Sequence, residues 1–292
     1  MVSFDYTEEI SRLLLRRKGN GGFQEISGGD YRPDATAWAI LCLEAFQVHS
    51  DIVSIARSRL MSTQKADGSI PLTASHPEAF WPTFPGALAL YGDHENEEAH
   101  TKAISFLIST IGRHYQNLNK AQVKHDTMLQ GWPWIDQTHA WVEPTAMAIS
   151  ALTEAGLAHH GRTRDGIKLL LDRQLTNGGW NYGNTAIYGQ QLNPMPAPTG
   201  MALWALTDHV EVSQITESLK YLQRQLGRLK TPLSLGWALK GLSSWNIKIE
   251  KGYELAVACL NRQQKYGQYN TSQTAILLLA IAMLEIQGAA NV

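Results

Sequence analysis

Gln174-Leu175-Thr176-Asn177-Gly178-Gly179-Trp180, followed by Gly200-Met201-Ala202-Leu203-Trp204-Ala205, contains both halves of a unit that recurs along the 292-residue chain. The second half reads small residue, any residue, Ala or Leu, Ile or Leu, any residue, small residue. It starts at Ala37, Ala87, Ala146, Gly200, Gly236 and Ala275. Small residues alternating with large ones let helices approach closely, and apolar character on most faces suits a buried helix. The first half reads Gln or Arg, three residues, Gly, one residue, then a large apolar side chain. It appears at Arg17/Gly21/Phe23, Gln64/Gly68/Ile70, Gln174/Gly178/Trp180, Gln223/Gly227/Leu229 and Gln263/Gly267/Tyr269, with only Gly131-Trp132 kept in the third repeat. Glycine would end an amphipathic helix, the large residue would plug the core, and glutamine would bridge backbone groups of neighbouring repeats.

Six such pairs, none able to bury its apolar face alone, stack into a solenoid or close into a ring. No terminal repeat is conspicuously polar, which favours closure. The expected fold is all-α, an (α/α)6 toroid of six helix hairpins forming one domain over residues 1–292. The segments leading into the inner helices would then line the mouth of a central cavity.

Lys and Arg total 25 against 26 Asp and Glu. That balance provides no basic field for a nucleic-acid backbone. Cys42 and Cys259 each sit in an apolar run, which argues against a disulfide framework or a CxxC metal site. The N-terminal stretch MVSFDYTEEISRLLLRRKGNGG interrupts its apolar residues with charges and lacks a small-residue cleavage site, so it does not read as a signal peptide. No run reaches the roughly 18 apolar residues of a spanning helix. A soluble, cytoplasmic protein is expected, with peripheral contact to a membrane and the oligomeric state left open.

Gln174 to Trp180 matches the QxxxGxW repeat of squalene-hopene cyclases, oxidosqualene cyclases and protein prenyltransferase β subunits. The segment Tyr31-Arg32-Pro33-Asp34-Ala35-Thr36-Ala37-Trp38 resembles the part of class II cyclases that carries their DxDD acid motif before Thr-Ala. Thr271-Ser272-Gln273-Thr274-Ala275 is similar to the Pro-Ser-Gln-Thr-Ala helix start near the end of those enzymes. The chain is thereby similar to one domain of the terpene cyclase and prenyltransferase superfamily. Of the DxDD tetrad only Asp34 remains, at the position of the proton donor. Gln273 stands where a prenyltransferase would place a zinc-binding His, so the resemblance implies metal-free, proton-initiated chemistry without a cofactor.

Protonating an alkene needs a carboxylic acid kept neutral in a dry cavity. Asp34 and Glu143 lie two residues before the Thr that opens the first and third inner helices. Asp34 is the first choice for that acid, with Glu143 beside it, and both residue types also cap helices. The third repeat gathers Trp132, Trp134, Asp136, His139, Trp141 and Glu143 within 13 positions. Aromatic faces there could shield cations, and Asp136 and His139 join the catalytic candidates. Further candidate contacts with substrate are Trp38, Trp81, Phe84, Trp180, Tyr182, Trp204 and Trp237. Tyr188 and Met195, on the loop after Trp180, would cover the mouth. For any single Trp, a plug between repeats is the preferred reading.

The leading expectation is a single-domain class II terpene or meroterpenoid cyclase acting on a linear, apolar isoprenoid. A non-catalytic toroid holding a lipid or protein, and a carbohydrate-active (α/α)6 enzyme with paired carboxylates, are the alternatives.

Overall fold

The computed structural model describes residues 6–92, 94–116 and 124–290; the first five residues of the N-terminal stretch lie outside it. Five of the six small-residue patterns fall wholly on helices, α2 (Pro33–Ala45), α6 (Val142–Glu154), α8 (Pro196–Leu206), α10 (Pro232–Ser244) and α13 (Thr271–Ala290), while the second begins at Ala87 on α4 (Thr83–Ala89) and runs past its end into a turn. Between them run the outer helices α1 (Thr7–Leu14), α3 (Ser50–Met61), α5 (Glu97–Ser109), α7 (Gly161–Arg173), α9 (Val212–Gln225) and α11 (Gly252–Asn261), with a single turn α12 (Gln263–Tyr266). Proline in the first turn of α2, α8 and α10 presets the helical φ where its missing N–H costs nothing.

The inner helices touch in the cycle α2–α4–α6–α8–α10–α13–α2, so the ring closes. Close approach explains the small residues: a Cβ on Gly200 would lie 2.1 Å from the Trp237 carbonyl oxygen, across the α8–α10 contact. The sequence pattern places each outer helix ahead of an inner one. In space, α3 and α7 instead pack on α2 and α6, the inner helices before them, while α1 packs on α13. The sixth pair is therefore made from the two ends of the chain. Its seam is polar: Gln263 Nε2 donates to Glu9 Oε2 at 3.1 Å, Arg16 donates to Gln268 Oε1 at 3.0 Å, and the Thr271 N–H donates to the Glu25 carbonyl at 2.9 Å.

The glutamine of the Gln-xxx-Gly signature bridges repeats in the second, fourth and sixth, through backbone carbonyls as read only at Gln64, and through neighbouring side chains at Gln174 and Gln263. Gln64 donates to the carbonyls of Gly68 and of Ala99 on the next outer helix, and Gln174 donates to Ser218 on α9. Gly21, Gly68, Gly178 and Gly267 share φ near +90°, a conformation that disfavours any Cβ. Arg17 and Gln223 depart from the reading, since both are exposed. The plugs Phe23, Ile70, Trp132 and Trp180 are fully buried. Each donates its backbone N–H to the hydroxyl of a buried threonine opening the inner helix: Thr36 at 2.9 Å, Thr83 at 2.8 Å, Thr145 at 3.1 Å and Thr199 at 2.9 Å. This clamp fixes the start of these four inner helices, and with it the residue two positions earlier.

Candidate functional site

The inner helices begin at one end of the ring, where the two candidate acids stand. Asp34, in the first turn of α2, is 8% exposed. Arg32 grips both its oxygens, Nε to Oδ1 at 2.9 Å and Nη2 to Oδ2 at 2.6 Å. A bidentate guanidinium serves the charged form of a carboxyl, so the arrangement does not suit a donor that must enter the reaction neutral. Beside this pair Glu25 accepts from the backbone N–H and hydroxyl of Ser272. Burial, and after it the Asp34 charge, outweigh those hydrogen bonds and push the Glu25 carboxyl above its usual range.

Glu143 has the opposite surroundings. It lies in the first turn of α6, with no hydrogen bond or ion pair among the described residues. Burial pushes its carboxyl up to about 7, overriding the helix N-terminus, which favours the ionised form. The clamp between Thr145 and Trp132 anchors the segment, and the Val142 N–H donates to the Tyr182 carbonyl at 3.0 Å.

One turn along α6 from Glu143 is Met147, buried in the core. Trp38 and Trp237 meet edge to face at 5.7 Å, and Trp237 meets Trp204 at 5.6 Å. The helices α2 and α10 are not ring neighbours, since α13 stands between them, so the Trp38–Trp237 contact crosses the lumen. Three of the expected aromatic contacts thus form a wall of indoles inside the ring.

The third-repeat cluster is divided rather than gathered. Trp132 is fully buried, lies under Arg162, and donates Nε1–H to the Leu107 carbonyl at 2.8 Å. Trp180 is likewise buried and donates to the Leu170 carbonyl at 2.7 Å. Both plug the gaps between helices, which corrects their expected place at the mouth. Asp136 is exposed and lines an open groove of about 520 Å³ with Lys65, Glu78, Phe80 and Phe106. His139 is exposed, faces Tyr115 at 5.5 Å, and with Trp141 borders a separate pocket of about 70 Å³ that holds His125 and Arg173. Neither Asp136 nor His139 shares a cavity with the other or contacts Glu143, so the structure does not assemble the four catalytic candidates.

Trp81 and Trp134 pack edge to face at 6.2 Å, both half-buried, and Phe84 is buried against Phe80. The loop after Trp180 forms a small hairpin, β1 (Ala186–Ile187) against β2 (Gln190–Gln191), with Tyr188 87% exposed at its turn. Tyr182 is 50% exposed. Sequence reasoning missed Arg32 as a partner of Asp34, although the two-residue spacing across a helix start was visible. It also passed over Lys240, a charge inside an inner-helix pattern.

No protein-family model matches the chain, and no curated protein matches it in sequence. Solved structures do match in fold. A variant of the type II terpene cyclase MstE from Scytonema, in complex with geranylgeranyl dihydroxybenzoate, is 12% identical with a TM-score of 0.62, covering 96% of each chain. The α-1,6-mannanase GH76A of a Salegentibacter species, in complex with α-1,6-mannotriose, is 11% identical with a TM-score of 0.62, covering 96% of this chain and all of the other. A protein from Actinoplanes is 15% identical with a TM-score of 0.61, covering 98% of this chain and all of the other. The likeness is one of fold, an all-helical toroid, and two of these three relatives are enzymes. No helix among the described residues is long and apolar enough to cross a membrane.

Proposed function

We propose that the protein is a single-domain, proton-initiated cyclase of a linear isoprenoid, and that Glu143 is its proton donor. The observation that carries this reading is the unpartnered Glu143 carboxyl, held near 7 by burial at the start of α6. Such a group keeps a large protonated fraction near pH 7, where an ordinary carboxyl is ionised, which suits it to give a proton away and be reprotonated. Asp34, gripped by Arg32, positions the start of α2.

In the proposed step the Glu143 proton adds to a terminal alkene carbon. The alkene π pair becomes the new C–H bond, and the next double bond of the chain attacks the resulting cation. Loss of a proton from a carbon next to the last cation restores an alkene, so the product is an isomer of the substrate. The faces of Trp38, Trp204 and Trp237 supply quadrupoles that stabilise intermediate cations. Cyclising a panel of linear polyprenols and polyprenyl aromatic acids in heavy water tests this directly. A cyclic product carrying a single new deuterium is expected; recovery of unchanged substrate throughout the panel contradicts it.

The mannanase likeness supports a second reading, glycoside hydrolysis by Asp34 and Glu143. It is disfavoured because a sugar needs polar partners, whereas Met147, one turn along α6 from Glu143, and the Trp38–Trp237–Trp204 contacts inside the ring are apolar. Release of mannose from α-1,6-linked oligosaccharides would reverse that preference.

A further inference from the structure

Trp237 and Lys240 stand one turn apart on the same face of α10. Because Trp237 reaches Trp38 across the ring, that face is turned to the lumen. Lys240 lies between the two ring neighbours of α10. Its Nζ is 4.5 Å from the centroid of the Trp204 ring on α8 and 3.6 Å from Met283 Sδ on α13. A π face and a thioether are weak acceptors, and among the described residues no oxygen accepts from this ammonium. Glu154 acts on it only through space, and burial pulls the amine down to about 8.

Trp237 is fully buried, and its Nε1–H has no acceptor among the described residues. Other enclosed indoles differ: Trp132, Trp180 and Trp245 donate to the carbonyls of Leu107, Leu170 and Leu203 at 2.7–2.8 Å. A buried donor left unmade bears its full desolvation cost, so such a group calls for an explanation. Both open donors border the same indole, Trp204. The position that Lys240 holds in its repeat is filled by Leu41 and Leu279 in the first and sixth repeats, both partly exposed apolar residues.

We propose that the lumen at this level binds the carboxylate of an apolar-chain acid, whose oxygens accept from Lys240 Nζ and Trp237 Nε1. The chain lies against Trp204, Leu41 and Leu279. A cation with no carboxylate in contact, Glu154 acting only from a distance, matches the single charge of such a ligand, and a neutral alcohol would leave the ammonium without a contacting anion. The site stands whether or not the ring catalyses cyclisation, because it depends on neither Glu143 nor any turnover.

Calorimetric titration of the purified protein with farnesoic acid, farnesol and dodecanoic acid tests the site. The wild type is expected to bind farnesoic acid about tenfold or more tightly than farnesol, the margin of a charge-assisted hydrogen bond. Lys240→Met should abolish that preference while leaving the affinity for farnesol intact. Trp237→Phe, which removes the N–H and keeps an aromatic ring, should weaken acid binding severalfold and serves if the lysine variant does not fold. Dodecanoic acid binding as well as farnesoic acid supports the site with a fatty acid as occupant, and its rejection supports the site with an isoprenoid acid. Equal affinity of the wild type for acid and alcohol, no binding of either acid, or full preference retained in both variants overturns the proposal.

Discussion

Asp34 and Glu143 occupy equivalent positions two residues ahead of a clamped threonine, and their neighbours decide what each can do. Arg32 holds Asp34 by two hydrogen bonds, whereas Glu143 has no hydrogen-bond or ion-pair partner among the described residues. A carboxyl whose folded pKa is raised binds more protons folded than unfolded between pH 4.5 and about 7. Stability therefore falls as pH rises through that window and levels off above it. The burden at pH 8 is on the order of 3 kcal/mol. Glu143→Gln, which removes the charge, should accordingly raise stability at pH 8 by about 1–3 kcal/mol and change it little at pH 5; chemical denaturation at the two pH values checks this. Asp34→Asn should cost about 1–2 kcal/mol, moderated because Arg32 is about a third exposed. Both acids could be picked out from their spacing before Thr. Which of them is paired could not, since Arg32 is a local neighbour whose side chain could as easily have pointed to solvent.

At the scale of the element, the repeated glycines and threonines act as joints. A Cβ on Gly68 would fall 2.0 Å from the Lys102 carbonyl oxygen, and the backbone there has φ +90°. Gly156 also has positive φ, at +77°, but nothing lies within 4 Å of a Cβ built on it. Gly156→Ala is expected to cost about 1 kcal/mol from conformation alone. Gly68→Ala should cost at least about 3 kcal/mol, because backbone must also move; paired thermal melts distinguish them. Thr145→Val keeps the shape of the side chain and deletes the acceptor for the buried Trp132 N–H, for a loss of about 1–3 kcal/mol. The glycine signal was legible because it repeats with a plug two residues later. The threonine clamp was not, since its partner lies 13 residues earlier at Phe23, Ile70 and Trp132 but 19 earlier at Trp180, and the donor is a backbone group that no side chain advertises.

For the whole molecule, closure depends on contacts between the first and last repeats. Glu25 and Gln24 meet the start of α13, Glu9 meets Gln263, and α1 packs on α13. A ring sealed by its chain ends should open first at that seam. Glu25→Ala is expected to speed amide hydrogen exchange in α1 and the start of α13 while α6 and α8 keep their protection. The toroid was legible in the sequence because six apolar patterns leave six faces to bury. Which outer helix packs on which inner one, and the division of the Trp132–Glu143 cluster among core, groove, pocket and the start of α6, depend on how the segment before α6 winds over the ring. No periodicity records that path.

The most direct test is product formation from linear polyprenyl substrates by the wild type, Glu143→Gln and Asp34→Asn side by side, followed by mass spectrometry and NMR. The account predicts a cyclised isomer from the wild type, at least about a hundredfold less of it from Glu143→Gln, and a rate within about tenfold of wild type from Asp34→Asn wherever that variant is folded. A cyclised product that persists in Glu143→Gln and vanishes in folded Asp34→Asn would contradict the assignment of the proton donor, and no cyclised product from any enzyme would contradict the cyclase itself.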